Sequence, residues 1–386
     1  MGIKSINQFL QKKVPNAFFK STLDCFSGYR IAIDSNNYFY TVICAANKST
    51  INQMVDPLEE IDRELVMLKG KQIFIEFLLK ITSYKITPVF VWDGQSLGSK
   101  KKCKDKRREE KKKILDKIAI LREKLENTHV LLRNKDDIDS YRNLISQYNI
   151  VRNEEFQYFK NLISTLGIPC IQAANEGEKL CASLSMEGYV YGVWSADTDN
   201  YALGTRILIN KDEKNEYSED GKPLIKIVDM KIVLKTLNKT QDWFIDFCIM
   251  CGCDFNENIP NVGPQKSYDL LEKYGSIDTI LNDESMIIKF GEFVDKYEKR
   301  YNKKLEEDVR TILNHKECKN IHFKIEQSGF FNNEDELNFN YAKFQDLIFS
   351  VIDDFNLHEY YDSLVNNLSK LAETPKNKKL KRTLKF

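Results

Sequence analysis

Val190-Tyr191-Gly192-Val193-Trp194-Ser195-Ala196-Asp197 is an apolar run of strand length that ends on an aspartate. Two other runs end the same way, Ile31-Ala32-Ile33-Asp34 and Val89-Phe90-Val91-Trp92-Asp93. They read as strands buried on both faces, because a half-exposed strand would alternate apolar with polar residues. Helical patterns over 73–84 and 154–166 lie between them. Strands alternating with helices predict an α/β fold, a mostly parallel central sheet flanked by helices. Ligands of such sheets bind beyond the carboxyl ends of the strands, where these three aspartates stand. A fourth run, Leu224-Ile225-Lys226-Ile227-Val228-Asp229, also ends on an aspartate. Taken singly, a strand-ending aspartate is more often a turn former than a ligand, and Asp229 is assigned to that role.

Around these strands the chain has 386 residues, 42% of them hydrophobic, enough to bury a substantial core. Its 58 basic and 57 acidic residues nearly cancel, so a nucleic-acid site has to be sought in local clusters rather than in net charge. Nine cysteines and an N-terminus unlike a secretory signal predict free thiols in a reducing compartment. Cys248 and Cys251 have C-x-x-C spacing, but they sit in an apolar helical stretch and no second Cys or His pair follows at zinc-finger distance. No run approaches the roughly 18 apolar residues that span a bilayer, so no membrane partner is expected. Met1-Gly2 is not read as a lipidation signal, since Ile6 stands where the motif needs Ser or Thr.

Residues 100–113 hold ten basic side chains against Asp105, Glu109 and Glu110, a local charge of about +7 on a helix-favouring stretch. Charged helical sequence continues to about 153 with few core positions, so 94–153 reads as a protruding helical insertion; a solvated surface helix pair is the plainer alternative. After Asp254, a turn-rich stretch through Asn261, Val262, Gly263 and Pro264 leads into a helical run over 265–274. This is a helix, hairpin, helix unit whose second helix offers backbone N–H groups to a phosphate. The C-terminal tail carries six basic residues from Lys376 to Lys385 and no acid after Pro375, a composition expected to be disordered.

Asp34, Asp93 and Asp197 are joined by Asp199, by Glu176 and Glu178 in Ala174-Asn175-Glu176-Gly177-Glu178, and by Asp254. Gathered in one place, these acids would repel one another unless divalent cations neutralised them, and oxygen donors suit Mg²⁺. Two such ions clamp an in-line displacement at phosphorus, which is the chemistry of phosphodiester hydrolysis. Glu178 also stands three residues after Asn175, the spacing of a capping box, and capping and ligation can coexist.

In order and spacing, these motifs resemble the flap endonuclease family of structure-specific 5′ nucleases, related to repair gap endonucleases and 5′-3′ exonucleases. The resemblance covers roughly residues 1–280 and is carried by Met1-Gly2-Ile3, Ile33-Asp34, Val91-Trp92-Asp93-Gly94, Ala174 to Glu178, Ala196-Asp197-Thr198-Asp199, and Cys253-Asp254 followed by the hairpin. It implies that Asp34, Asp93, Glu176, Glu178, Asp197, Asp199 and Asp254 hold two Mg²⁺ or Mn²⁺ ions. It implies further that Lys100 and Arg107 act on the scissile phosphate, and that Tyr40 stacks on a terminal base; a buried core aromatic is the alternative for Tyr40. Gly2, Gly263 and Lys266 are carried over as DNA contacts. Residues 94–153 become a helical arch, and a helix-two-turn-helix at about 242–274, aided by K⁺, grips duplex DNA.

The resemblance thus divides the chain into nuclease parts 1–93 and 154–280, the arch between them, a C-terminal helical extension at 281–370 and a basic disordered tail at 371–386. Two departures stand out: Asn261 replaces a usual glycine, a position where asparagine tolerates a left-handed backbone, and Gln265-Lys266 replaces a usual pair of basic residues. The ending Thr383-Leu384-Lys385-Phe386 lacks the glutamine-led motif with paired aromatics that engages a sliding clamp, which weighs against that partner. The implied activity is metal-dependent 5′ flap endonuclease and 5′-3′ exonuclease action in DNA replication and repair. The alternatives are a relative that prefers gaps, bubbles, four-way junctions or RNA, and a DNA-binding protein without catalysis. A monomer is expected. The expected site of action is the nucleus, or the cytoplasmic replication site of a large DNA virus, given an Asn-, Lys- and Ile-rich composition.

Overall fold

The computed structural model describes residues 2–95, 101–148, 150–211, 216–297, 305–313, 315–325 and 334–373. Its centre is a seven-stranded sheet: β1 (Phe18–Ser21), β2 (Arg30–Asp34), β3 (Thr87–Trp92), β4 (Cys170–Gln172), β5 (Gly192–Trp194), β6 (Ile207–Lys211) and β7 (Ile225–Asp229), in the spatial order β1-β7-β6-β5-β2-β3-β4. β6, β5, β2, β3 and β4 pair in parallel, while β7 runs antiparallel to both β6 and β1. The chain therefore steps outward from β2 through β3 to β4, returns to the other side of β2, and steps outward again through β5 to β6. The point where these two excursions part, between β2 and β5, is a topological switch point, and it opens a crevice at the carboxyl ends of the strands.

Every residue of β2 and β3 is buried, as the continuous apolar runs predict. Alternate side chains feed two separate hydrophobic layers. Ala32, Val89, Val91 and Val193 face a layer with helices Ile6–Lys13, Gly177–Met186 and Gln241–Cys251. Ile31, Ile33, Phe90 and Trp92 face helices Ser35–Gln53, Arg63–Ser83 and Asn153–Thr165.

One expectation needs correction, and two others gain detail. The run 190–197 forms a strand only over Gly192–Trp194, because past Trp194 the chain leaves the sheet and turns to place Asp197 and Asp199. β7 is a strand, but its reversed direction puts Asp229 at the sheet end opposite the other aspartates, since Asp229 pairs with Ile207 at the start of β6. There Asp229 caps helix Met230–Leu237 by accepting from the N–H groups of Lys231 and Ile232, the turn-forming role assigned to it. Finally, the helical extension at 281–370 packs against the sheet-covering helices. Phe344, Ile348, Val351, Leu364 and Leu368 pack in the same layer as Phe74 and Phe159 of the sheet-covering helices, and the buried Arg30 of β2 holds Glu334 at 3.0 Å and Asn338 at 2.5 Å. Leu371 ends this packing within helix Tyr361–Ala372, so the start of the predicted tail is helical; 374–386 lie outside the described residues.

Within the insertion 94–153 the structure describes two α-helices, Lys101–Glu126 and Lys135–Gln147, with a short 3-10 helix at Val130–Leu132 between them. Leu125 and Tyr141 are buried, and Arg133 pairs with Asp56 at 3.1 Å, so the far end of the hairpin leans on the body of the fold. Among the described residues no helix is long and apolar enough to cross a membrane, and no disulfide joins the cysteines. Cys248 and Cys251 are buried within helix Gln241–Cys251.

Candidate metal centre

Each acid is delivered by a local feature of its own segment. Asp34 ends β2 and caps helix Ser35–Gln53, accepting from Asn37 N–H at 3.3 Å, while the Ser195 hydroxyl donates to its other oxygen at 3.3 Å. Asp93 follows β3 and accepts from Gly177 N–H at 2.7 Å. Gly177 permits this approach: a Cβ there would lie 3.1 Å from Asp93 Oδ1 and 3.2 Å from the Val91 carbonyl. Helix Gly177–Met186 begins with Glu176 as its cap, which places Glu178 in the first turn. The capping-box reading, with Asn175 as cap, does not hold, because Glu176 occupies the cap position and Glu178 stands only two residues beyond it. Past β5, Ser195 Oγ accepts from Asp197 N–H at 3.1 Å and Asp197 accepts from Asp199 N–H at 3.2 Å, a tight turn that points both carboxylates toward Glu178.

Glu178, Asp197 and Asp199 each offer an oxygen within 4.8 Å of the others. Asp34, Asp93, Glu176, Glu178, Asp197 and Asp254 line a single cavity of about 500 Å³ together with Tyr40, Arg107 and Lys111. Asp199 lies behind it, 2% exposed. All seven acids named from sequence thus converge at the carboxyl edge of the sheet.

The electrostatics of the cluster suit a cation. Burial, reinforced by the charges of Asp93 and Asp197, pushes the Asp34 carboxyl up from its ordinary 3.8 to about 7. Burial and the neighbouring Asp199 push Asp197 up to about 6. Carboxylates crowded away from water resist ionisation unless positive charge arrives, and hard oxygen donors in this number suit a divalent cation. The donor set therefore fits divalent metal.

The other residues singled out from sequence sit as follows. Gly2, at φ +89°, lies against the acidic turn; a Cβ on it would stand 2.9 Å from the Asp199 nitrogen and nearer still to Asp197 Oδ1 and Thr198 Oγ1. Ile3 N–H donates to Thr198 Oγ1 at 2.8 Å, pinning the N-terminal segment there. Tyr40 is 38% exposed on the cavity wall, so it is not a buried core aromatic. Arg107, at the base of the insertion, reaches Asp254 at 2.6 Å across the cavity mouth. Lys100 lies outside the described residues. Asn261 takes φ +61°, the left-handed conformation expected of it, and Gly263 caps helix Pro264–Tyr274. The exposed Lys266 ammonium lies 5.5 Å from the centre of the Phe293 ring.

Sequence reading missed two residues of the centre. Lys179, buried beside Glu178, brings its ammonium within 3.9 Å of Glu176 Oε2. His322, wholly buried, places Nε2 2.6 Å from Asp199 Oδ2. A lone histidine far from every acidic motif carries no spacing signal; only the folded chain brings it there.

Comparison with known proteins agrees with this architecture. Residues 1–114 match the XPG N-terminal domain and 167–254 the XPG I-region. A flap endonuclease 1 of Theileria annulata is 32% identical over 282 residues, covering 73% of this chain and 51% of that protein, so the chain spans about half the length of this curated relative. Among solved structures, the flap endonuclease-1 of Methanococcus jannaschii has a TM-score of 0.56 at 19% identity, over 94% of this chain and 98% of that one. The catalytic core of Rad2 in complex with DNA substrate has a TM-score of 0.57 at 18% identity, over 95% and 100%. At these identities the structural likeness speaks for the fold.

Proposed function

The chain belongs to the flap endonuclease family of XPG-type nucleases, and from that premise we propose that it is a divalent-metal-dependent 5′ nuclease that hydrolyses DNA phosphodiesters where single strand meets duplex. The observation that carries the reading is the gathering of carboxylates from β2, β3, the start of helix Gly177–Met186, the turn past β5 and the segment after helix Gln241–Cys251 at one switch point, beneath a basic helical insertion. Mg²⁺ is the proposed cation, with Mn²⁺ able to replace it, because the donors are oxygens that leave room for water. Bound there, two cations supply the charge that activates water and stabilises the leaving oxygen.

The chain's own residues do the rest. Asp34, Asp93, Glu176, Glu178, Asp197, Asp199 and Asp254 would hold the cations. Arg107 is poised to exchange Asp254 for a phosphate oxygen, bringing a fixed positive charge to the group on which negative charge develops. Lys100 is proposed to join it. Tyr40 offers a ring face beside Asp34 on which a base can stack. The first turn of helix Pro264–Tyr274 offers its amides to a duplex phosphate, with Lys266 beside them, and K⁺ is proposed at the preceding hairpin.

The test is incubation of the pure protein with an end-labelled 5′-flap DNA, beside nicked, bubble, four-way and single-stranded controls, in Mg²⁺ or EDTA, with Asp197→Ala alongside. Incision at the flap junction that needs both metal and Asp197 supports the reading. Undiminished cutting in EDTA, or equal rates on flap and four-way junction, overturns the metal or the substrate part respectively.

A further inference from the structure

His322 follows helix His315–Ile321, beyond every motif that resembles the family. Its ring is completely buried, between Phe255 at 3.6 Å and Phe323 at 4.5 Å between ring centroids. Phe255 is the neighbour of Asp254, so the imidazole is gripped on one side by the segment that carries a site carboxylate. On the other side its backbone is anchored: His322 N–H donates to the Cys318 carbonyl at 2.9 Å, and the Lys179 ammonium donates to the Ile321 carbonyl. The ring is thus shut off from solvent.

The two nitrogens have different tasks. Nε2 meets Asp199 Oδ2 at 2.6 Å, a charge-assisted hydrogen bond in which the carboxylate can only accept. That requires a hydrogen on Nε2 and leaves Nδ1, which lies 3.9 Å from Glu176 Oε2, as the ring nitrogen open to a cation. A carboxylate holding one nitrogen while the other faces a cation site is the arrangement that orients metal-binding histidines. Glu176, Glu178 and His322 each bring a donor atom within 4.8 Å of the others, and Glu178 is shared with the neighbouring set formed with Asp197 and Asp199. The two sets thus meet at one carboxylate, as adjacent cation positions would.

Resting on the metal-dependent reading above, we propose that His322 is a nitrogen ligand of this centre, binding through Nδ1 beside Glu176 and Glu178, and that it biases the site toward transition-metal cations such as Mn²⁺ over Mg²⁺. Imidazole suits transition metals, whereas Mg²⁺ favours oxygen, so one nitrogen in an otherwise oxygen set shifts the preference between the two.

The experiment is pulsed electron paramagnetic resonance on the full chain loaded with Mn²⁺ in the absence of DNA. Nitrogen-14 modulation from a directly bound imidazole is expected, replaced by the nitrogen-15 pattern when the protein is made with labelled histidine. His322→Gln, which keeps a donor toward Asp199 but has no group at the Nδ1 position, is expected to lose the signal and to bind Mn²⁺ on the order of 10- to 100-fold more weakly. Its Mg²⁺ affinity, read by competition, should change several-fold less. The wild-type spectrum decides the matter even if the variant fails to fold. Mn²⁺ bound without nitrogen coupling, or coupling that persists in a folded His322→Gln protein, overturns the proposal and leaves the nuclease reading standing. Failure of the wild-type chain to bind Mn²⁺ or Mg²⁺ at all overturns both.

Discussion

Replacing Asp34 by asparagine is expected to make the metal-free protein more stable at pH 8 while abolishing cleavage. Folding buries the Asp34 carboxyl beside Asp93 and Asp197 and raises it from 3.8 to about 7. Between those values the folded state holds a proton that the unfolded chain has released. Folding is then coupled to proton uptake, and stability falls as pH rises from about 4 to about 7, then levels off. At about 1.4 kcal/mol per pH unit across that window, ionised Asp34 opposes folding by on the order of 4 kcal/mol at pH 8. For a chain of 386 residues this is roughly 5 °C in melting temperature. An asparagine side chain at this position has the same shape and no charge to bury. Thermal melts in EDTA from pH 5 to pH 8 should show the wild type losing stability and Asp34→Asn losing clearly less, with added Mn²⁺ restoring the wild type far more than the variant. A wild-type melting temperature that is flat or rises over that range, or a variant that is the less stable protein at pH 8, would refute the argument that buried like charge makes this a cation site.

Three other outcomes follow from named contacts. Gly2→Ala forces a methyl into the Asp197–Asp199 turn at a left-handed φ, so Mn²⁺ affinity measured by titration should fall by about tenfold or more; affinity within about twofold of wild type would show that the N-terminal segment does not buttress the turn. Arg107→Ala removes the cation at the cavity mouth and should lower single-turnover cleavage by about 10²- to 10³-fold while metal affinity holds or rises, since Asp254 loses its partner; an equal fall in metal affinity would contradict that role. Asn261→Ala should destabilise the hairpin by about 1 kcal/mol and weaken duplex binding, whereas Asn261→Gly should be neutral or better; urea melts and binding to blunt duplex read both, and equal effects of the two changes would count against a backbone origin.

The parallel sheet was legible in sequence because a strand buried on both faces has to be apolar throughout, and β2 and β3 are buried along their whole length. The acids that line the cavity were legible because strand ends and tight turns bring them in short, ordered motifs, and the resemblance to the nuclease family rests on those motifs. Direction was not legible: β7 reads like β2 in composition, yet it runs the other way and carries Asp229 to the far end of the sheet. Register and direction are settled by pairing with β6 and β1, which no residue within 224–229 encodes alone. The helices of 341–372 likewise look like an extension in sequence, and only their apolar stripes meeting Phe74, Leu78 and Phe159 show them to be part of the core.

The chain's local chemistry by itself determined which runs would be buried, where strands would end and which carboxylates would stand at those ends and turns, because these follow from hydropathy and spacing along a few neighbouring residues. What only the tertiary structure decided is what stands around the carboxylates: Gly2 against their turn, Arg107 across from Asp254, and His322, 123 residues from Asp199 yet 2.6 Å away. The physical reason is that a hydrogen bond or metal ligand depends on separation in space to within an ångström, and for segments so far apart in the chain that separation is fixed by packing of the elements between them.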